Sequence, residues 1–134
     1  MEFMPWKDEY SINVSSIDNQ HKKLVSLLNQ LYKGMMKVET VDIKKVVKDL
    51  IEYTVIHFSF EEDIFSKINY SDTENHKKEH QTFIDKASDF QKMLLNGDAK
   101  LDAELMIFLK NWLKDHILVT DVKYVEDFKK NGIK

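Results

Sequence analysis

The amino-acid sequence predicts an all-α fold: an antiparallel up-down-up-down four-helix bundle with an N-terminal arm and a short C-terminal helix, one domain over residues 1–134. Three observations predict it. Only Pro5, Gly34, Gly97 and Gly132 punctuate the chain. Between them the apolar residues recur every three or four positions rather than alternately. The four segments so marked are joined by short connections, which pack most simply as antiparallel neighbours. A chain of 134 residues, 43% of them hydrophobic, suffices for one buried core and is too short for two.

The N-terminal arm carries Trp6 and Tyr10, which are expected to pin it across the bundle. The first helix is expected to start after Asp18, a favourable N-cap residue. Its seam runs Ile17, His21, Leu24, Leu28, Leu31 and Met35, and Gly34 with the Val38 to Val41 stretch ends it. The second starts near Asp42 and gives Ile43, Val47, Leu50, Thr54, His57, Glu61, Ile64 and Ile68. The third starts at Asp72 or Thr73 and gives Thr73, His76, His80, Phe83, Ala87, Phe90 and Leu94, closed by a left-handed cap at Asn96-Gly97. The fourth gives Leu105, Leu109, Trp112 and His116, with Leu101, Phe108 and Leu113 widening the stripe.

All five histidines fall on these seams. In an antiparallel bundle, positions early in odd helices are level with positions late in even ones. His21 is early, His57 and Glu61 late, His76 and His80 early, His116 late, so all share one layer at one end. The pairs His57/Glu61 and His76/His80 are four apart, on one helix face. A lone histidine in a helix is usually a surface or hydrogen-bonded core residue. Five imidazoles with the carboxylates of Glu61 and Asp121 in one buried layer are another matter, since their desolvation is costly unless a cation joins them. A metal is the expected cation. Lys77, Lys78, Glu79, Lys22 and Lys23 read as solvated outer faces.

Imidazole and carboxylate without thiolate suit zinc, iron, copper or nickel, but seven residues exceed the needs of one tetrahedral zinc. Two metals fit better. If Glu61 and Asp121 each bridge, five histidine nitrogens, four carboxylate oxygens and two bonds from a bridging oxide fill eleven of the twelve positions of two octahedra. One position stays open, as reversible ligand binding requires. The chain also lacks the Glu-x-x-His pairs of carboxylate-rich di-iron oxidases. His116 and Asp121 are five apart, so a continuous α-helix would set them about 140° apart around its axis. A bend or break at Val119-Thr120 is therefore expected, with a short last helix through Phe128.

Composition excludes other classes. Without cysteine there are no disulfides, iron–sulfur clusters or thiolate zinc sites. The twenty basic residues are all lysine, so the guanidinium forks favoured for phosphate and base recognition are missing, and no nucleic acid is expected as partner. No run of about 18 apolar residues spans a membrane, and no signal-like segment opens the chain, so a cytoplasmic protein without membrane contact is expected.

The residues Trp6 to Val14, Ile17-Asp18-Asn19-Gln20-His21, His57-x3-Glu61, His76-x3-His80 and His116-x4-Asp121-x2-Tyr124 resemble the hemerythrin family, specifically its single-domain bacteriohemerythrins. The resemblance spans essentially the whole chain. It implies a non-heme centre of two iron ions, oxo- or hydroxo-bridged, that binds O2 reversibly. On that likeness His21 and His57 hold the iron with the open position, His76, His80 and His116 hold the other, and Glu61 and Asp121 bridge them. Many members carry a proline soon after the last histidine, where this chain has Ile117-Leu118-Val119-Thr120.

Leu24, Phe58, Trp112, Leu113 and Ile117 flank the centre, as ordinary bundle core and as a dry pocket that would keep water and protons from bound oxygen. The expected function is oxygen storage, delivery or buffering by a monomer or weak homo-oligomer, with an unidentified oxygen-recipient protein as a further partner. Two alternatives stand beside it. One is an O2 or redox sensor acting through a separate partner; the other is a peroxide- or nitric-oxide-processing di-iron enzyme, for which spacing identifies no further acid or base.

Overall fold

The computed structural model describes residues 3–37, 42–97 and 103–133. Four long helices form the bundle: α1 Ser15–Met35, α2 Ile43–Ile68, α3 Thr73–Leu95 and α4 Ala103–Asp115. The chain continues from α4 through a π turn, His116–Thr120, and a 3-10 turn, Asp121–Tyr124, into a short α5, Val125–Lys130. No strand occurs among the described residues, and none of their helices is long and apolar enough to cross a membrane.

Helix α1 packs against α2 and α4, and α2 against α3. The stacked rings of Phe83 and Trp112, 3.9 Å apart, join α3 to α4. The seam residues are where the periodicity puts them. Ile17, His21, Leu24, Leu28 and Leu31 are buried on α1, and Val47, Leu50, Thr54, His57, Glu61 and Ile64 on α2. Leu101 and the Leu105 side chain lie outside the described residues, as do Val38 to Val41.

Several helix ends differ from expectation, each for a local reason. Helix α1 starts at Ser15, not after Asp18. Asp18 sits in its first turn, where its carboxylate accepts the Ile12 N–H (2.9 Å) and the Ser11 hydroxyl, tying the arm down near the positive helix end. Gly34 lies inside α1, and Lys37 takes the left-handed conformation beyond it (φ 56°). Asp42 caps α2 as expected, accepting the Lys45 N–H at 3.2 Å. Asn69 ends α2 in the left-handed region and Gly97 follows α3 with φ 79°.

The arm is held by more than its aromatic residues. Trp6 meets Tyr10 edge to face, but Met4 is the fully buried anchor, its backbone N–H and C=O both bonded to the Asn29 carboxamide (2.7 and 3.0 Å).

Two apolar clusters result. The larger contains Leu24, Leu28, Leu50, Phe58, Phe83, Leu109, Leu113 and Ile117; the smaller gathers Ile12, Val14, Ile17, Ile64, Phe65, Tyr70, Tyr124 and Phe128 at one end. The polar seam residues lie between them.

A candidate metal centre

His21, His57, Glu61, His76, His80, His116 and Asp121 converge in that interlayer, each no more than 2% exposed. The sequence pointed to all seven, six through spacing and Asp121 through residue type and family likeness, and the fold brings all seven together. Asp121 reaches the cluster without a break in the helix. Instead the π turn lets the Asp121 N–H bond to the His116 carbonyl five residues back, widening the turn enough to put both side chains on one face. The bend or break expected at Val119-Thr120 thus takes the form of a wide turn over His116–Thr120.

The two carboxylates occupy the middle. Asp121 Oδ2 lies 2.8 Å from His21 Nε2, 3.0 Å from His116 Nε2 and 3.7 Å from His57 Nε2, while its Oδ1 is 3.0 Å from His76 Nε2. Glu61 Oε1 lies 2.9 Å from His57 Nε2 and 3.4 Å from the Nε2 atoms of His80 and His116. Its Oε2 is 3.7 Å from His76 Nε2. Each carboxylate therefore spans two sets of histidines.

Tautomers sharpen the picture. His57 Nδ1 faces the Gln20 side-chain oxygen at 2.6 Å, and His80 Nδ1 faces Glu62 Oε2 at 2.9 Å. Both oxygens accept, so both Nδ1 atoms donate, and in the neutral rings the Nε2 lone pairs turn inward toward carboxylate oxygen. Lone pair against lone pair is repulsive. Neither Glu61 oxygen nor His80 Nε2 has a partner in hydrogen-bond geometry, although all are buried. Such a donor set is completed by a cation.

The spacing suits one. Metal–ligand bonds of about 2.1 Å give octahedral edges of about 3.0 Å, within the range of separations found. Among the described residues three groups lie close enough to share an ion: His21, His57, His116 and Asp121; His76, His80 and His116; and Glu61, His76 and Asp121.

Without metal, protons take the cation's place. Burial alone would lower the His57 and His116 pKa values, but the Glu61 and Asp121 carboxylates outweigh it, raising His57 and lifting His116 to about 10. Burial would raise both carboxylates, and Asp121 would raise Glu61 further, yet the surrounding imidazoles hold Glu61 and Asp121 below their usual range. At His21 burial prevails over Asp121, and the pKa falls. The Tyr124 hydroxyl, buried without a partner, is held protonated by burial and by both carboxylates.

The family described as hemerythrin HHE cation binding domain matches residues 13–126. The chain belongs to the hemerythrin family. The bacteriohemerythrin of Pseudomonas aeruginosa is 34% identical over 126 residues, 94% of this chain and 82% of that protein. That of Clostridium acetobutylicum is 36% identical over 126 residues, 90% of this chain and 98% of its own. A crystal structure of wild-type hemerythrin superposes with a TM-score of 0.86 at 32% identity, covering 92% of this chain and 96% of that one.

Of the apolar residues expected beside the centre, Leu24, Phe58, Leu113 and Ile117 belong to the larger cluster and Trp112 packs against it. Phe58 lies flat on His80, centroids 3.7 Å apart, and Trp112 flat on His116 at 4.9 Å. Ile117 is wholly buried in the larger cluster. Leu24, Trp112 and Leu113 help line a small apolar cavity of about 20 Å³ with Leu28, Leu50, Thr54, Phe83 and Leu109. Its one aliphatic hydroxyl, on Thr54, already donates to the Leu50 carbonyl at 2.6 Å.

Gln20 and Glu62 were not singled out from sequence for the roles they take. Each adjoins a predicted ligand, His21 and Glu61, one step off the seam, so each reaches a histidine of another helix. A polar residue next to a seam ligand is the signal that finds them.

Proposed function

We propose that this chain binds O2 reversibly, as a store, carrier or buffer of oxygen, through two iron ions held by the seven buried side chains. The observation that supports this most is the donor set itself: inward-facing imidazole nitrogens around two central carboxylates, with buried acceptor atoms left unpaired. His21 and His57 would hold one ion, His76, His80 and His116 the other, and Glu61 and Asp121 would lie between. A non-heme di-iron pair supplies reversible O2 binding.

The remaining work falls to the chain's own groups. Gln20 and Glu62 keep the protons of His57 and His80 on Nδ1, so that Nε2 is available inside. Phe58 and Trp112 fix the planes of His80 and His116 by stacking. Leu24, Leu113 and Ile117 exclude water beside the centre, and the adjoining cavity has room for about one water-sized molecule but offers it few polar partners. These roles are those of a binding site rather than a turnover site.

Protein from iron-replete cells is expected to hold two irons per chain and to change its visible spectrum reversibly as O2 is admitted and removed. One zinc per chain, with no iron taken up on anaerobic reconstitution, defeats the reading.

A further inference from the structure

Seven side chains buried to within 2% of their surface cannot be loaded without an entrance. Four cavities among the described residues bear on where it lies. The two small apolar ones, each about 20 Å³, include none of the seven residues in their walls. An open cleft of about 180 Å³ beside Trp6, Lys22 and Lys33 does not reach them either and carries positive charge. A second open cleft, about 260 Å³, is lined by Glu79, Thr82, Trp112, Asp115, His116 and Thr120. It alone of the four touches a candidate ligand.

Its chemistry is that of a cation's approach. Glu79 and Asp115 are exposed, and neither forms a hydrogen bond or ion pair among the described residues. No lysine lines the cleft. Each acid directly precedes a candidate ligand of the three-histidine group, Glu79 before His80 on α3 and Asp115 before His116 on α4. The cleft therefore runs between α3 and α4, with His116 the one candidate ligand in its wall. Its buried wall is His116, 2% exposed, whose Nε2 contacts Asp121 while its Nδ1, across the ring, has no partner. Trp112 covers one face of that ring. Uncompensated carboxylates at a cleft mouth raise the local concentration of an incoming cation and speed its capture, and carboxylate oxygen is an acceptable transient ligand for an aquated divalent ion.

We infer that this cleft is the loading port for a divalent cation, with the Glu79 and Asp115 carboxylates as its docking pair and His116 as the first group of the centre reached. The inference rests on the metal-centre reading above. The hydrated ion exchanges water for carboxylate oxygen at the mouth, then carboxylate for imidazole as it moves inward, without change of oxidation state. The docking pair sets the rate of filling and leaves the final content unchanged.

The test follows ferrous iron entering anaerobic metal-free protein, with unbound iron trapped by a colorimetric ferrous chelator at timed intervals and the protein fraction analysed for metal. The double variant Glu79→Gln/Asp115→Asn is expected to fill roughly tenfold more slowly at low ionic strength. It should reach the parent's iron content and lose much of the parent's salt dependence. Asp49→Asn/Glu52→Gln makes the same charge change on the exposed face of α2 and should load like the parent. Thr82→Lys, which puts a cation in the cleft, should slow loading without removing a carboxylate. Parent-like loading of the Glu79/Asp115 variant overturns the port, and so does equal slowing of the α2 control. If the parent itself takes up no iron, the metal-centre reading falls first, a result distinguishable from either.

Discussion

The side-chain oxygen of Gln20 on α1 meets Nδ1 of His57 on α2 at 2.6 Å, so one helix sets the tautomer of a ring carried by the next. Glu62 does the same for His80 at 2.9 Å, from α2 to α3. The two contacts differ in charge: His57 leans on a neutral amide and His80 on a carboxylate.

Removing either partner should loosen metal binding without abolishing it. Gln20→Ala and Glu62→Ala are each expected to keep full metal content at saturation but to lose about 10–100-fold in affinity, as outer partners of metal-bound histidines do. Competition against a chelator of known strength measures this. Coincident curves for parent and variants would show these contacts to be incidental.

Metal removal should destabilise one end of the bundle. Metal present at about 100 times its dissociation constant adds roughly 2.7 kcal/mol to folding stability. The metal-free form should melt lower and exchange its amides faster around His21, His57, His76 and His116. Equal exchange in both forms would separate these residues from the centre.

Acid and base should act through His116. Its pKa in the metal-free fold is about 10, against an ordinary value of 6.5, because Asp121 and Glu61 outweigh burial. A raised pKa stabilises the fold fully below the unfolded value, and that contribution is lost as pH rises through about 10. The metal-free protein should therefore lose this part of its stability in alkali. Metal binding needs the bare nitrogen, so loading at neutral pH should release protons and tighten as pH rises. Titration in weakly buffered solution reads the protons directly, and an absence of release would contradict the assignment.

Leu113 tests protection apart from ligation. It is 5% exposed and lines the small cavity beside Trp112. Leu113→Ala should cost roughly 2–5 kcal/mol of stability and leave metal content intact. By enlarging and wetting the cavity, it should speed the irreversible loss of oxygen-binding capacity in air. If that loss proceeds at the parent rate, Leu113 is bundle core and nothing more.

The helical bundle was legible because the apolar residues of all four segments keep one period, and because ligands early and late in alternate helices fall level only in an antiparallel arrangement. Asp18 misled because a good capping side chain can also serve the loop before a helix, here by holding Ile12 and Ser11. Met4 and Asn29 were invisible to periodicity, since a backbone-to-carboxamide lock depends on two segments 25 residues apart meeting. Gln20 and Glu62 escaped for a related reason: their partners lie on neighbouring helices. Asp121 was found by its residue type and its likeness to the family pattern, while the means by which it reaches His116 was not.

That π turn acts as a change of reading frame within a helix. Leu109, Leu113, His116, Ile117 and Thr120 are buried up to its end and Asp121, Tyr124 and Phe128 beyond it, and the step from His116 to Asp121 takes five residues where an α-helix takes four. A template with a fixed helical period loses the chain at this point, where the α-helix gives way to a π turn and then to a 3-10 turn. The extra residue is accordingly what keeps Asp121, Tyr124 and Phe128 facing the bundle, and removing one residue within the turn would rotate all three off the buried face together.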